Sequence, residues 1–146
     1  DHPMGTLYLI RHAEPVPPYD WDGGDAARPL SKRGLKQAQW MGAHLAKLPV
    51  TDLRTAPHQR CRQTAAAIGE VLGLEPVIDE KLHIARSFGV PEVKGVMVWV
   101  AHSNNIPGAL HGLGVPGYRC GHASAWRLEF DDSGKLESYS YVEPEV

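Results

Sequence analysis

The chain has 146 residues, with 15 Lys and Arg against 17 Asp and Glu and a formal net charge of −2. That length points to one domain, residues 4–146, with room for a hydrophobic core. The charge gives no support to nucleic-acid binding, which calls for a basic excess, and no apolar stretch approaches the roughly 18 residues of a membrane span. No signal peptide is evident, and Asp1-His2-Pro3 ahead of Met4 reads as a trimmed end. Two cysteines, Cys61 and Cys120, make no disulfide framework, so a reducing cytoplasm is expected.

Residues 6–10 form a short apolar run that predicts a buried strand of a parallel sheet. Arg11 and His12 follow at its carboxyl end, where ligands bind in open α/β sheets. The Pro-, Gly- and Asp-rich loop 15–29 is long for a compact domain, which favours a functional role. Ser31 then caps a helix to about residue 47, with Leu35, Ala38, Gly42, Leu45 and Ala46 as its apolar stripe. A weak strand spans 50–55. Pro57 fits the first turn of a second helix over 58–72, which buries Cys61, Ala65, Ile68, Val71 and Leu72. Arg60 sits in that first turn, where free amides and the helix dipole favour an anion.

Residues 75–78 predict a short strand, and 95–101 (GVMVWVA) the best strand of the chain. His102 and Ser103 follow, then a helix over about 104–113, which Ser103, Asn104 and Asn105 can cap. A hairpin over 124–130 and 137–142 closes the chain around Asp131-Asp132-Ser133-Gly134. Strands alternating with helices predict an α/β sandwich with a mostly parallel sheet, the late strands adding antiparallel edges.

A permanent guanidinium beside a neutral imidazole suits binding and attack at phosphorus. Arg11, His12, Arg60 and His102, each at a strand end or a helix start, can collect at one edge of the sheet. Other phosphatase chemistries fit worse. The position six residues after Cys61 is Ala67, and after Cys120 it is Trp126, so the Cys-to-Arg spacing of a cysteine phosphatase is missing. Neither GxxxxGK[ST] nor HExxH occurs, and the eight histidines show no metal-site spacing.

The segments LIRHAE (9–14), RPLSKRG (28–34) with Gln37-Ala38, APHQRCRQTAAAI (56–68) and VWVAHSNNIPG (98–108) occur together in this order. With them the chain resembles the histidine phosphatase superfamily, and within it the small, short-lid bacterial phosphohistidine phosphatases. The resemblance implies the phosphoglycerate-mutase-like fold, a three-layer α/β sandwich. It makes His12 the nucleophile, with Arg11, Arg60 and His102 as the phosphate pocket and Ser103 within reach of substrate. The activity implied is a hydrolase without metal or cofactor, acting on a phosphorylated small molecule or a phosphoprotein.

The chain departs from the family in three places. Many relatives carry a Glu two residues after a Leu, where this chain has Leu82, His83 and Ile84. Glu80, His83 or, less directly, Glu14 must then supply the proton for the leaving group, or none does. A positioned acid is worth about 10²–10⁴ in rate, so its loss weighs on alcohol phosphates more than on phosphohistidine, whose leaving group carries its own charge. The insert before the second histidine strand is reduced to residues 85–94, which implies an open site. Val16-Pro17 replaces a small polar residue of the mutases and argues against mutase activity. The alternative to an enzyme is a weakened phosphate-binding or scaffold protein of the same fold. Further along the chain, His122 can line the pocket, Arg62 reads as a surface charge, and His44, His58 and His111 read as structural or surface groups. Tyr19 and Trp21 either stack on substrate or anchor their loop.

Overall fold

A computed structural model describes residues 5–117 and 119–146; Asp1-His2-Pro3 and Met4 lie outside the described residues. Its strands are β1 (Gly5–Arg11), β2 (Val50–Thr55), β3 (Val77–Ile78), β4 (Gly95–Ala101), β5 (Ala125–Phe130) and β6 (Leu136–Val142). Its α-helices are α1 (Lys32–Leu45), α2 (Gln59–Leu72) and α3 (Ile106–Gly112). The strands form one sheet in the order β3-β2-β4-β1-β5-β6. The first four run parallel, and β5 and β6 join antiparallel beside β1. This is the mixed, mostly parallel α/β sandwich that the element order predicts.

Both faces of the central strands are covered, as an apolar run requires. Leu7, Tyr8, Leu9 and Ile10 of β1 are all buried, and so are Met97 to Ala101 of β4. On one face α2 comes close to Leu53 of β2 at Gly69, and α1 lies on α2 where Gly42 meets Ile68 and Val71. The other face carries Trp99, closed by the edge of Phe88, and Trp126, whose indole N–H donates to the Arg119 carbonyl. From α3, Ile106, Ala109 and Leu110 enter the same core.

Several details differ from the sequence pattern. Leu35 stays 45 % exposed on the α1–α2 rim, because Ala66 and Ala67 opposite it are too short to cover it. Val71 lies over Gly42 on the same rim and is also exposed, and Ala46 falls past the end of α1. The buried stripe of α1 is instead Gly34, Gln37, Ala38, Met41, Gly42 and Leu45. Pro57 precedes the cap position of α2, which His58 occupies, and α3 begins only at Ile106.

The N-terminus of α1 docks directly on the chain that leaves β1. Ser31 Oγ accepts from the Gly34 amide as the cap, and its own amide donates to the Glu14 carbonyl. A side chain on Gly34 would run into that same carbonyl, which is backbone and cannot turn away. Gly34→Ala is therefore expected to destabilise the fold by about 1–3 kcal/mol in urea unfolding. Gly108→Ala, in open space on α3, should be neutral or stabilising by up to about 1 kcal/mol.

Candidate active site

The parallel pairing of β1 with β4 sets Arg11 opposite Ala101. The His12 amide donates to the Ala101 carbonyl at 3.1 Å, so His12 and His102 leave neighbouring strands at the same end of the sheet. Their ring centroids are 5.4 Å apart. The chain enters α2 at this end too, where the Ala56 amide donates to Val100, and Arg60 lies in the first turn. Thr64 fastens the two parts: its hydroxyl donates to the Arg60 carbonyl at 2.7 Å and accepts from the Ala13 amide at 2.9 Å. Gln37 accepts from the Glu14 amide and Gln63 from the Leu30 amide, so both ends of the long loop are tied to helices.

A cavity of about 320 Å³ opens at this point, walled by Arg11, His12, Glu14, Pro15, Pro17, Pro18, Arg28, Arg60 and His122. The 83–94 segment holds no α-helix, in keeping with the short insert, and it is the loop after β1 that supplies much of the wall. Arg11 donates through Nη1 to the Cys120 carbonyl at 2.9 Å, and its buried Nε has no partner among the described residues. Arg28 is held by the Val16 carbonyl at 2.8 Å, and its Nε likewise has no partner among the described residues. Arg60 is buried and donates to Asp25, to the carbonyl at 3.0 Å and to the carboxylate at 3.3 Å. Three guanidiniums facing one cavity, with spare donors, make an anion-binding wall.

The imidazoles are tuned by burial. His12 Nδ1 lies 2.8 Å from the Ala13 carbonyl, which can only accept; Nδ1 therefore carries the proton and Nε2 keeps its lone pair. Burial, with Arg11 and Arg60 nearby, pushes the His12 pKa down to about 3 against the Nδ1 hydrogen bond. His102 also falls to about 3, through burial first and then His12 and His58. Its amide donates to Asn105 Oδ1, its Nε2 meets the Cys61 sulfur at 3.5 Å, and its buried Nδ1 has no partner among the described residues. Burial holds Cys61 as a thiol, its pKa raised to about 12.

His122 lines the cavity, with its ring 6.0 Å from that of His12. The chain turns it inward at Ala123, which adopts a left-handed φ of 58°. Glu14 also lines the cavity and accepts a hydrogen bond from Ser31. Ser103 is exposed and outside the wall. Glu80 is exposed in a 3₁₀ turn, and His83 follows that turn with its ring 4.7 Å from His58; neither lines the cavity. The asparagines do not cap α3 with their side chains. Asn105 Nδ2 donates to the Leu82 and His83 carbonyls and Asn104 to Ile84, which pins the 82–84 segment beside His102. His58 is no surface group: it is 6 % exposed and its ring packs 4.7 Å from that of His102. Asp25, Arg28 and His58 are additions to the sequence reading; Arg28 lies in RPLSKRG and His58 in APHQRCRQTAAAI, whereas Asp25 lies in no motif. Trp21 anchors its loop through a 3.0 Å bond to the Gly24 carbonyl. Among the described residues no three His, Cys, Asp or Glu side chains converge as a metal site, and no helix is long and apolar enough to cross a membrane.

Residues 7–93 match the family model of the histidine phosphatase superfamily (branch 1). An 8-oxo-(d)GTP phosphatase of Mycolicibacterium smegmatis is 32 % identical over 84 residues, 55 % of this chain and 26 % of that protein. The chain spans less than half the length of the first curated relatives it matches. Among solved structures, the protein histidine phosphatase SixA complexed with tungstate superposes with a TM-score of 0.73 at 16 % identity, covering 95 % of this chain and 97 % of that one. A mycobacterial glucosyl-3-phosphoglycerate phosphatase gives 0.69 at 15 % identity, covering 97 % and 99 %. At such identities the two structures speak for the fold.

In the fold His12 and His102 stay neutral down to about pH 3, whereas in the unfolded chain each takes up a proton near the ordinary imidazole value of about 6.5. Between those values the unfolded state binds more protons, so stability falls as the pH drops from about 6.5 towards 3. The urea midpoint is expected to be lower near pH 4.5 than near pH 7.5, and the drop to be smaller in His12→Asn. An equal drop in the variant would contradict a buried neutral His12.

Proposed function

Because the chain belongs to the histidine phosphatase superfamily, branch 1, we propose that it is a metal-independent phosphatase acting on a phosphomonoester or a phosphohistidine through phospho-His12. The observation that carries this reading is the tautomer of His12. With Nδ1–H committed to the Ala13 carbonyl, Nε2 is the free nitrogen of a ring that borders a wall of Arg11, Arg28 and Arg60. Nε2 attacks phosphorus in line, a P–N bond forms, and the bond to the leaving group breaks. Water then attacks the phosphohistidine, the P–N bond breaks, and inorganic phosphate leaves. The guanidiniums carry the charge on the phosphoryl oxygens. His102 is not part of the cavity wall; its ring 5.4 Å from that of His12 and its buried Nδ1, without a partner among the described residues, support a hydrogen bond from it to the same group. Positioning and charge supply most of the rate in such transfers.

The remaining demand is a proton for the leaving group. Ile84 stands at the position of the family's acid, neither Glu80 nor His83 borders the cavity, and Glu14, which does, has its carboxylate taken up by the Ser31 hydroxyl and Arg33. This supports substrates whose leaving group needs no strong acid, phosphohistidine in a protein above all. Phosphatase and phosphoglycerate mutase names among the relatives agree with an enzyme of this class.

Hydrolysis of an activated aryl phosphate is expected to resist chelators and to vanish in His12→Ala. Arg60→Ala is expected to lower kcat/KM by about 10²–10³, the scale of one lost charge-stabilising donor. Phosphohistidine peptides should be cleaved faster than alkyl phosphates. Phosphate binding without turnover in the unaltered chain would favour the scaffold reading instead.

A further inference from the structure

Arg60 and Asp25 form an unequal pair. The Arg60 side chain is 4 % exposed, and a guanidinium buried that deeply requires an anion. Asp25, which meets that need, is 63 % exposed. It lies in a three-residue 3₁₀ turn, Asp25–Ala27, whose cap residue Gly24 contributes no side chain. Its carboxylate reaches Arg60 and Arg28 at 3.3 Å each. Both contacts exceed the roughly 2.7–2.9 Å of tight charged hydrogen bonds.

The arginines are held differently. Arg28 Nη1 holds the Val16 carbonyl, while the Arg60 guanidinium, which among the described residues bonds only Asp25, is kept in place by its burial and by the Thr64 bond to its backbone carbonyl. Asp25 has no comparable second anchor among its hydrogen bonds: its carbonyl serves Arg60 and the turn, and its carboxylate serves the two arginines. The exposed and weakly held member of the pair is thus the anion. It stands on the same Arg60 that walls the cavity beside His12.

We propose that Asp25 is a displaceable counter-ion of the phosphate pocket, which the phosphoryl group of a substrate drives off Arg60 and Arg28. The proposal rests on the phosphatase reading above. A phosphoryl dianion on Arg60 sets like charges a few ångströms from the carboxylate, and the two cannot share the guanidinium at low cost. The dianion also reaches Arg11, which Asp25 does not contact, and so wins the exchange. Once hydrolysis is complete, the returning carboxylate competes with product phosphate. Asp25 thereby sets how tightly the pocket holds phosphate. It stays ionised throughout and is no proton donor: burial acts to raise its pKa, but Arg60 and Arg28 outweigh this and hold it low.

The test is calorimetric binding of inorganic phosphate to the wild-type chain, Asp25→Asn and Asp25→Ala, with hydrogen exchange of residues 21–28. Both variants are expected to bind phosphate about tenfold more tightly, the scale of one charged hydrogen bond. Phosphate should also speed exchange of that segment in the wild type. Equal or weaker binding in the variants, or slowed exchange, would overturn the proposal and make Asp25 part of the binding set. Failure of wild type and variants alike to bind phosphate would overturn the pocket reading itself.

Discussion

Everything at the site depends on one register. β1 and β4 pair in parallel with Arg11 opposite Ala101, and the His12 amide closes the ladder on the Ala101 carbonyl. A slip by one residue would turn every side chain of β1 to the other face. Burial forbids it, because Leu7, Tyr8, Leu9 and Ile10 all lie inside the core. Hydrophobic packing therefore fixes the relative position of two imidazoles that contribute little to the packing themselves.

From that point polar side chains take over. Thr64, Gln37 and Gln63 bond to backbone at Ala13, Glu14 and Leu30, and Asn105 bonds to His102, Leu82 and His83. These residues need not touch a substrate. They hold the loops so that Arg11, Arg28 and Arg60 converge on one cavity. Bringing three cations together with buried imidazoles costs stability, and the low pKa values of His12 and His102 express that cost. The same desolvation leaves His12 neutral and nucleophilic at ordinary pH.

Much of this was legible in the sequence because it is local. The bounds of β4 follow from a short apolar run, and the Ser31 cap from its residue type. The strand-end placement of Arg11 and His102 follows from the same patterns. The contact of Asp25 with Arg60 and the burial of His58 against His102 were not legible. Asp25 lies in a loop without periodicity and meets Arg60 across 35 residues, and His58 meets the His102 ring only once β4 is in place. The asparagines misled for a related reason. Their residue type suits a helix cap, but the carbonyls of the 82–84 segment offered partners that only the tertiary fold brings near.

The central claim is that His12 Nε2 receives the phosphoryl group. Rapid acid-free quenching of a single turnover with a ³²P-labelled aryl phosphate, followed by digestion and peptide mapping, measures it directly. The account predicts an acid-labile, base-stable phosphate on the peptide containing His12, carried on Nε2. Turnover without a covalent label, or a label on another residue, would contradict it.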